Sequence, residues 1–389
     1  MSFPEDPRLD EAKAKDIAGL VDRLAIQGLA RVSHELIGPC PLCGGNDRFG
    51  ISLTSKAFNC RRCDLKGGDT IALVMGVLNK TFPHALDWIC GELPPDLDPK
   101  EAERRRTLAK RDRERQEGYA EKQRKRAVDM ARGIWQEGLA PEGTAVEFYL
   151  NLRGLTGVLP RLSKCLRFHP NLPYMVKEGQ QWVELHRGPA MLAAVQSQQE
   201  RAMCLHRTWL DLKEPGGKLV LRGKDGNPIV DDKGKRLKVK KTLGSKRGGA
   251  IRLRTPEGTD TLIMGEGIET TLTALIAQPS GMEAAAYWAG VDLGNMAGPM
   301  QKIQGVKHSG FPIEDPAKPC FVPPSWVKRL VFIMDGDSEP KMTRAKLECG
   351  IRRAQLLNPD LVGLIVPTDP GTDLNDMLVG KTSKIEEGA

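Results

Sequence analysis

Two short acidic clusters stand where chemistry is expected. The apolar run Thr261-Leu262-Ile263-Met264 is followed by Glu266, and Leu330-Val331-Phe332-Ile333-Met334 ends in Asp335-Gly336-Asp337. Carboxylates at the C-terminal ends of parallel strands converge on the crevice where an open α/β sheet binds its ligand. Such hard oxygen donors suit Mg²⁺ or Mn²⁺, and one or two ions would relieve the repulsion between carboxylates held close together. Bound divalent ions in turn suit phosphoryl transfer. Asp373 and Asp376, in Pro370-Gly371-Thr372-Asp373-Leu374-Asn375-Asp376, extend the set.

The second group of candidate ligands is soft. Cys40-Pro41-Leu42-Cys43 and Cys60-Arg61-Arg62-Cys63 give C-x2-C-x16-C-x2-C. Each C-x2-C turn presents two thiolates on one side, and two turns complete a tetrahedral S4 shell for Zn²⁺. A segment this small needs the ion as a structural staple. Around the cysteines, Arg48, Arg61, Arg62 and Lys66 alternate with Phe49 and Phe58. Cationic side chains for phosphates beside rings for bases hold single-stranded nucleic acid, so Arg48, Phe49, Arg61 and Arg62 are expected at such a surface. Cys90, Cys165, Cys204, Cys320 and Cys349 lie singly in apolar or helical surroundings and read as ordinary core or surface thiols.

The 389 residues leave room for two or three domains, and the formal net charge of +8 favours a polyanionic partner. The start, Met1-Ser2-Phe3-Pro4-Glu5-Asp6, lacks the basic and apolar regions of a secretory signal, and no apolar run is long enough to span a bilayer. An odd number of cysteines, four of them clustered, fits a reduced compartment, so a cytoplasmic protein is expected. Two decoys are set aside. Gly265-x-Gly267 lacks the third glycine of a dinucleotide loop and puts Glu266 where a pyrophosphate would sit. Gly380-Lys381-Thr382 has Asn375 in place of the leading glycine of a phosphate-binding loop.

The elements that must position these residues point to an α+β multidomain chain. A zinc-ribbon domain is expected over residues 1–98, with Asp69 capping a helix from Thr70, a second helix near Phe82–Ile89 and a close at Leu93-Pro94-Pro95. A charged helical linker follows over 99–130, carrying Arg104-Arg105-Arg106 and Arg124-Lys125-Arg126 as a solvated spacer. Residues 131–255 form a basic mixed α/β subdomain. In it Gly188–Val195 and Ala202–Leu210 read as paired strands, and a basic ribbon from Lys218 to Arg247 turns at Asp225-Gly226 and at Asp231-Asp232-Lys233-Gly234. Residues 256–380 alternate β and α as a mostly parallel sheet does, with strands at Thr261–Met264, Ala284–Tyr287, Leu330–Met334 and Leu361–Val366 and a helix from Lys341 to Leu357. A tail, 381–389, ends the chain.

At these residues the chain resembles a known family. Glu266-Gly267 after one strand and Asp335-Gly336-Asp337 after a later one look like the two signatures of the Toprim domain, shared by DnaG-type primases, topoisomerases and some nucleases. Pro39-Cys40-Pro41-Leu42-Cys43-Gly44-Gly45-Asn46-Asp47-Arg48-Phe49 is similar to the N-terminal zinc ribbon of bacterial, phage and plasmid Toprim primases. Arg207-Thr208-Trp209-Leu210-Asp211, Lys240-Lys241-Thr242-Leu243-Gly244 and Asp373-Leu374-Asn375-Asp376 follow the same order. The resemblance implies synthesis of short RNA primers on single-stranded DNA from NTPs. Glu266, Asp335 and Asp337 would bind magnesium, with Asp373 as a later acidic position. Arg207, Lys240 and Lys241 would face template or nucleotide, the ribbon would help choose the start site, and a replicative helicase would act in trans. Glu269 stands one residue short of the family's next acid, where this chain has Thr270. The alternatives are a metal-dependent Toprim nuclease and a non-catalytic zinc-ribbon replication factor. The ribbon and basic subdomain speak against the nuclease. A topoisomerase is disfavoured because no strand-passage domain is evident around Tyr119, Tyr149, Tyr174 or Tyr287.

Overall fold

A computed structural model describes residues 6, 8–32, 34–92, 99–178, 181–198, 202–231, 234–278, 280–303, 305–313 and 320–380. The expected close at Leu93-Pro94-Pro95, the turn residues Asp232 and Lys233, the side chains of Arg104-Arg105-Arg106 and the tail 381–389 lie outside the described residues. Two compact units are present, Met1–Gln123 with Lys177–Gln181 and Arg124–Val176 with Trp182–Ala389.

In the first unit, helices α1 (Leu9–Ala14) and α2 (Ile17–Arg23) precede five short strands, β1 (Ala30–Val32), β2 (Glu35–Cys40), β3 (Gly44–Ser52), β4 (Phe58–Cys60) and β5 (Lys66–Gly67). The strands pair antiparallel in chain order, and α3 (Thr70–Leu78) and α4 (Phe82–Cys90) follow. Successive strand side chains point to opposite faces, so Phe49 and Ile51 on β3 and Phe58 on β4 turn inward together with Cys40 and Cys60. They share a core with Ile17, Val21 and Leu73. Asp69 caps α3 by accepting from the Ala72 N–H at 2.8 Å. The charged segment is one helix, α5 (Pro99–Glu137), which runs past the expected end at residue 130 and contains the division between the two units.

The second unit holds two sheets. After α6 (Ala145–Leu152), whose N-cap Thr144 accepts from the Val146 N–H, come β6 (Leu166–Glu178), β7 (Gln181–Gln196), β8 (Ala202–Trp209) and β9 (Lys240–Gly244), a four-stranded sheet in that order. Outside β9, the segment expected to be a basic ribbon is looped. It is held by single bridges, Arg222 to Pro228 and Val230 to Arg236, with Gly226 and Gly234 taking the left-handed conformations its turns require.

The remaining elements are β10 (Ile251–Arg254), β11 (Thr261–Gly265), α7 (Ile268–Ile276), β12 (Ala286–Ala289), α8 (Leu293–Ala297), β13 (Arg329–Met334), α9 (Pro340–Leu357), β14 (Val362–Pro367) and α10 (Leu374–Leu378). Their sheet has the order β10-β12-β11-β13-β14, parallel except for β10 at the edge. Both faces of β11 are covered, which is why all five of its residues are buried and apolar positions do not alternate. On one face, Ile263, Tyr287 and Val331 pack with Leu272 of α7, Tyr149 of α6 and Met191, Val195 and Cys204 of the four-stranded sheet. On the other, Leu262, Met264 and Phe332 pack with Met296 of α8 and Leu347 and Ile351 of α9. A separate cluster of Leu172, Tyr174, Leu192, Leu205 and Trp209 lies on the far face of the four-stranded sheet. The boundary expected after residue 255 therefore falls between two sheets that share one core, and β10 on its upstream side already pairs with β12.

Candidate functional site

The parallel strands fix where the acids lie. β11 is the first of them in sequence, β12 joins it on one side, and β13 returns to the other, so the strand order reverses between β11 and β13. Ligand crevices of open α/β sheets form at such a reversal, outside the carboxyl ends of the strands. Glu266 follows β11 there, and Asp335 and Asp337 follow β13. Asp373 comes from the loop after β14, where it caps α10 by accepting from the Asp376 N–H at 2.6 Å.

Gly336 is required between the two aspartates. A Cβ there would come within 2.1 Å of the Asp369 carbonyl oxygen, because the β14–α10 loop folds directly over it. The Gly336 N–H donates to Thr368 Oγ1 at 2.7 Å, and the Gly371 N–H donates to the Gly336 carbonyl at 2.8 Å. This lacing joins the β13 and β14 acids into one rigid rim.

The carboxylates feel one another. Burial pushes Asp335 up to about 7, with the charges of Asp373, Asp337 and Glu266 adding to the effect and the Thr270 hydroxyl opposing it. Burial also raises Glu266, followed by Asp292 and Asp337, against the Leu293 N–H and Lys240. The site thus carries an excess of negative charge that Lys240 offsets only in part, the environment a divalent ion would relieve. Among the described residues, however, the cysteines are the only three or more candidate ligands within 4.8 Å of one another. The carboxylates stand at a wider spacing.

Asp292 is a site residue that sequence reasoning missed. The strand before it was expected to end at Tyr287; it runs to Ala289, which puts Asp292 at a strand end like the other acids. Between them Val291 has φ +72°, a left-handed conformation costly for a β-branched residue. Asp292 caps α8 through the Asn295 N–H at 2.8 Å and is ion-paired to Lys246.

Glu269 does not join the acids. It is 4 % exposed. Its Oε1 accepts from the Tyr149 hydroxyl at 2.5 Å and pairs with Lys218 Nζ at 3.0 Å, while Oε2 accepts from Lys240 Nζ at 3.0 Å. Burial alone would raise this carboxyl; the Lys240 and Lys218 ammoniums and the Tyr149 hydroxyl hold it well below its ordinary value.

The expected basic trio separates. Arg207 pairs with Lys241 across β8 and β9, and Thr208 pairs with Lys240, so the two lysines point to opposite faces of the sheet. Lys240 faces the core shared with the second sheet. Lys241 lies over the Tyr174 ring at 3.7 Å and donates to the Met175 carbonyl at 2.7 Å. Arg207 lies over Trp209 at 5.3 Å on that same far face. Arg207 and Lys241 therefore lie on the opposite face of the sheet from Lys240, because adjacent strand residues alternate.

In the first unit the four thiols are gathered. Cys40 and Cys63 Sγ lie 3.6 Å apart, and Cys43 and Cys60 Sγ 3.5 Å apart. A tetrahedron with Zn–S bonds of ~2.3 Å has S···S edges of ~3.8 Å, so the set fits zinc. Backbone N–H groups of Leu42, Arg62 and Cys63 point at the Cys40 and Cys60 sulfurs and would support thiolates. Phe49 corrects an expectation. It is 0 % exposed and packs edge-on to Phe58 at 6.2 Å, so it presents no face to a base. Arg61 and Arg62 are exposed, Arg61 pairing with Asp47 at 3.6 Å, and Arg48 is half-buried.

Among known proteins, the family model described as a domain of unknown function, DUF7146, matches residues 125–253. No curated protein matches the sequence. Solved structures that match include the Aquifex aeolicus primase zinc-binding and RNA polymerase domains, at 14 % identity and TM-score 0.34, covering 97 % of this chain and 82 % of that one. A DNA primase domain from Pseudomonas aeruginosa matches at 13 % identity and TM-score 0.37, covering 66 % and 75 %. The primase fragment of the bacteriophage T7 primase-helicase matches at 9 % identity and TM-score 0.27, covering 89 % and 95 %. No helix among the described residues is long and apolar enough to cross a membrane.

Proposed function

We propose that the chain is a DNA primase of Toprim type, making short RNA primers on single-stranded DNA from NTPs by metal-dependent nucleotidyl transfer. The observation that carries the reading is the placement of Glu266, Asp335 and Asp337 at the strand-order reversal, with the charges of Asp373, Asp337 and Glu266 all raising Asp335. Magnesium or manganese bound there would neutralise the incoming triphosphate and stabilise the departing pyrophosphate. Glu266, Asp335 and Asp337 would hold the ion, Asp373 adds negative charge to the same rim, and Gly336 keeps the Asp335–Asp337 turn under the β14–α10 loop.

A cysteine ribbon that fits zinc, with Arg61 and Arg62 exposed on it, supports contact with template phosphates. Together with the basic subdomain it favours building a strand over cutting one. A replicative helicase acting in trans belongs to the same reading. The test is incubation with single-stranded DNA, labelled NTPs and Mg²⁺, comparing the native chain with Asp335→Ala. Metal-dependent oligoribonucleotides that vanish in the variant are expected. Their absence from the native chain sinks the primase reading, and shortening of the DNA instead would establish a nuclease.

A further inference from the structure

Glu269 lies three residues after a proposed metal ligand, yet both of its oxygens are already engaged, by Tyr149 and Lys218 on Oε1 and by Lys240 on Oε2. The three partners come from three separate segments: α6, the loop after β8, and β9. The carboxylate is almost wholly buried, while the side chains of Lys218 and Lys240 remain 29 % and 38 % exposed. Two ammoniums against one carboxylate leave one positive charge in excess. That charge is felt at the acidic rim, where Lys240 counts among the groups acting on Glu266.

The same face of β8 holds two further polar groups without a hydrogen-bond partner, His206 Nδ1 and Thr208 Oγ1. His206 is 8 % exposed and Thr208 0 %. Directly opposed residues on antiparallel strands share a face, which puts Thr208 with Lys240 and His206 with Thr242. A wall with one ammonium in excess beside a rim with carboxylates in excess is complementary to a metal-bound polyphosphate, whose oxygens take ammonium and hydrogen-bond donors while its metal takes carboxylates.

We infer that Glu269 is a positioning residue, not a metal ligand: it clamps Lys218 and Lys240 as a charged pair that receives the polyphosphate of the nucleotide. This rests on the nucleotidyl-transfer reading for the identity of the nucleotide, while the polyphosphate class follows from the charges. Without the carboxylate the two ammoniums repel, and one must swing away or lose its proton.

The test is binding of inorganic tripolyphosphate and of MgATP to the full chain at pH 8 by calorimetry. Glu269→Gln is expected to weaken both by about tenfold or more, the scale of a lost charge-assisted contact. Lys218→Gln combined with Glu269→Gln is expected to recover part of that loss, because Lys240 then has no ammonium to repel it. Half-saturating Mg²⁺ in Glu269→Gln stays at the native value. Unchanged tripolyphosphate binding, simple addition of the two losses, or a raised Mg²⁺ requirement would each overturn the inference. If Glu269→Gln does not fold, Lys218→Gln against Lys218→Arg decides, with loss expected for glutamine and retention for arginine. A native chain that shows this pattern but makes no primer removes the primase reading and keeps the clamp. Primer synthesis with tripolyphosphate binding indifferent to all the variants removes the clamp alone.

Discussion

Asp335→Asn gives the sharpest check on the acidic rim, because its sign is unusual. Asp335 is raised in the folded chain from 3.8 to about 7, first by burial and then by Asp373, Asp337 and Glu266. An acid whose folded pKa lies above its unfolded one is penalised whenever it is ionised. The penalty is absent below the unfolded pKa, grows as pH rises between the two values, and is complete above the folded pKa. At 1.36 kcal/mol per pKa unit it amounts to about 2 kcal/mol at pH 5 and about 4 kcal/mol at pH 8, less where water still reaches the carboxyl. Asparagine keeps the shape and removes the charge. The variant is therefore expected to be more stable than the native chain at pH 8 in EDTA, with the advantage shrinking to about half on going to pH 5. Adding Mg²⁺ at pH 8 should narrow the gap by stabilising only the native chain. Urea unfolding followed by tryptophan fluorescence measures this, since Trp135, Trp182, Trp209, Trp288 and Trp326 all lie in the second unit. Equal stabilities at pH 8, or a less stable variant, would refute the crowding of negative charge on which the metal site depends.

Two further outcomes follow from close contacts. The chain should carry one zinc per molecule by atomic emission, and its chelation should expose the core of Phe49, Ile51 and Phe58 to a hydrophobic dye, because Cys40 and Cys60 belong to that core. A metal content near zero in protein purified without chelator would refute the thiol assignment. Gly336→Ala should abolish metal-dependent activity, since the added methyl meets the Asp369 carbonyl and must push the Asp335–Asp337 turn from the β14–α10 loop. Retention of more than about a tenth of native activity would show that the turn need not be rigid.

The candidate residues could be placed from sequence because each carries a local mark. C-x2-C pairs, acids at the ends of β-runs and the Asp69 cap depend on near neighbours in sequence, and the strands at Thr261, Leu330 and Leu361 begin within one residue of expectation. Asp292 was hidden by a two-residue shift in the end of β12, although the same acid-after-strand mark was present there. Alternating arginines and phenylalanines promised a stacking surface, yet alternation equally places the rings in a core, and burial of Phe49 removes it from any ligand.

What sequence alone determined is the inventory: a four-thiol ribbon, a charged helix and carboxylates closing parallel strands. Tertiary structure decided which charges meet. The pleat of β9 sends Lys240 and Lys241 to opposite faces, and the packing of α6, α7 and the four-stranded sheet around one core brings Tyr149, Lys218 and Lys240 onto Glu269. Those partners are separated by dozens of residues or more, and no local pattern encodes a pairing that exists only once both sheets share that core.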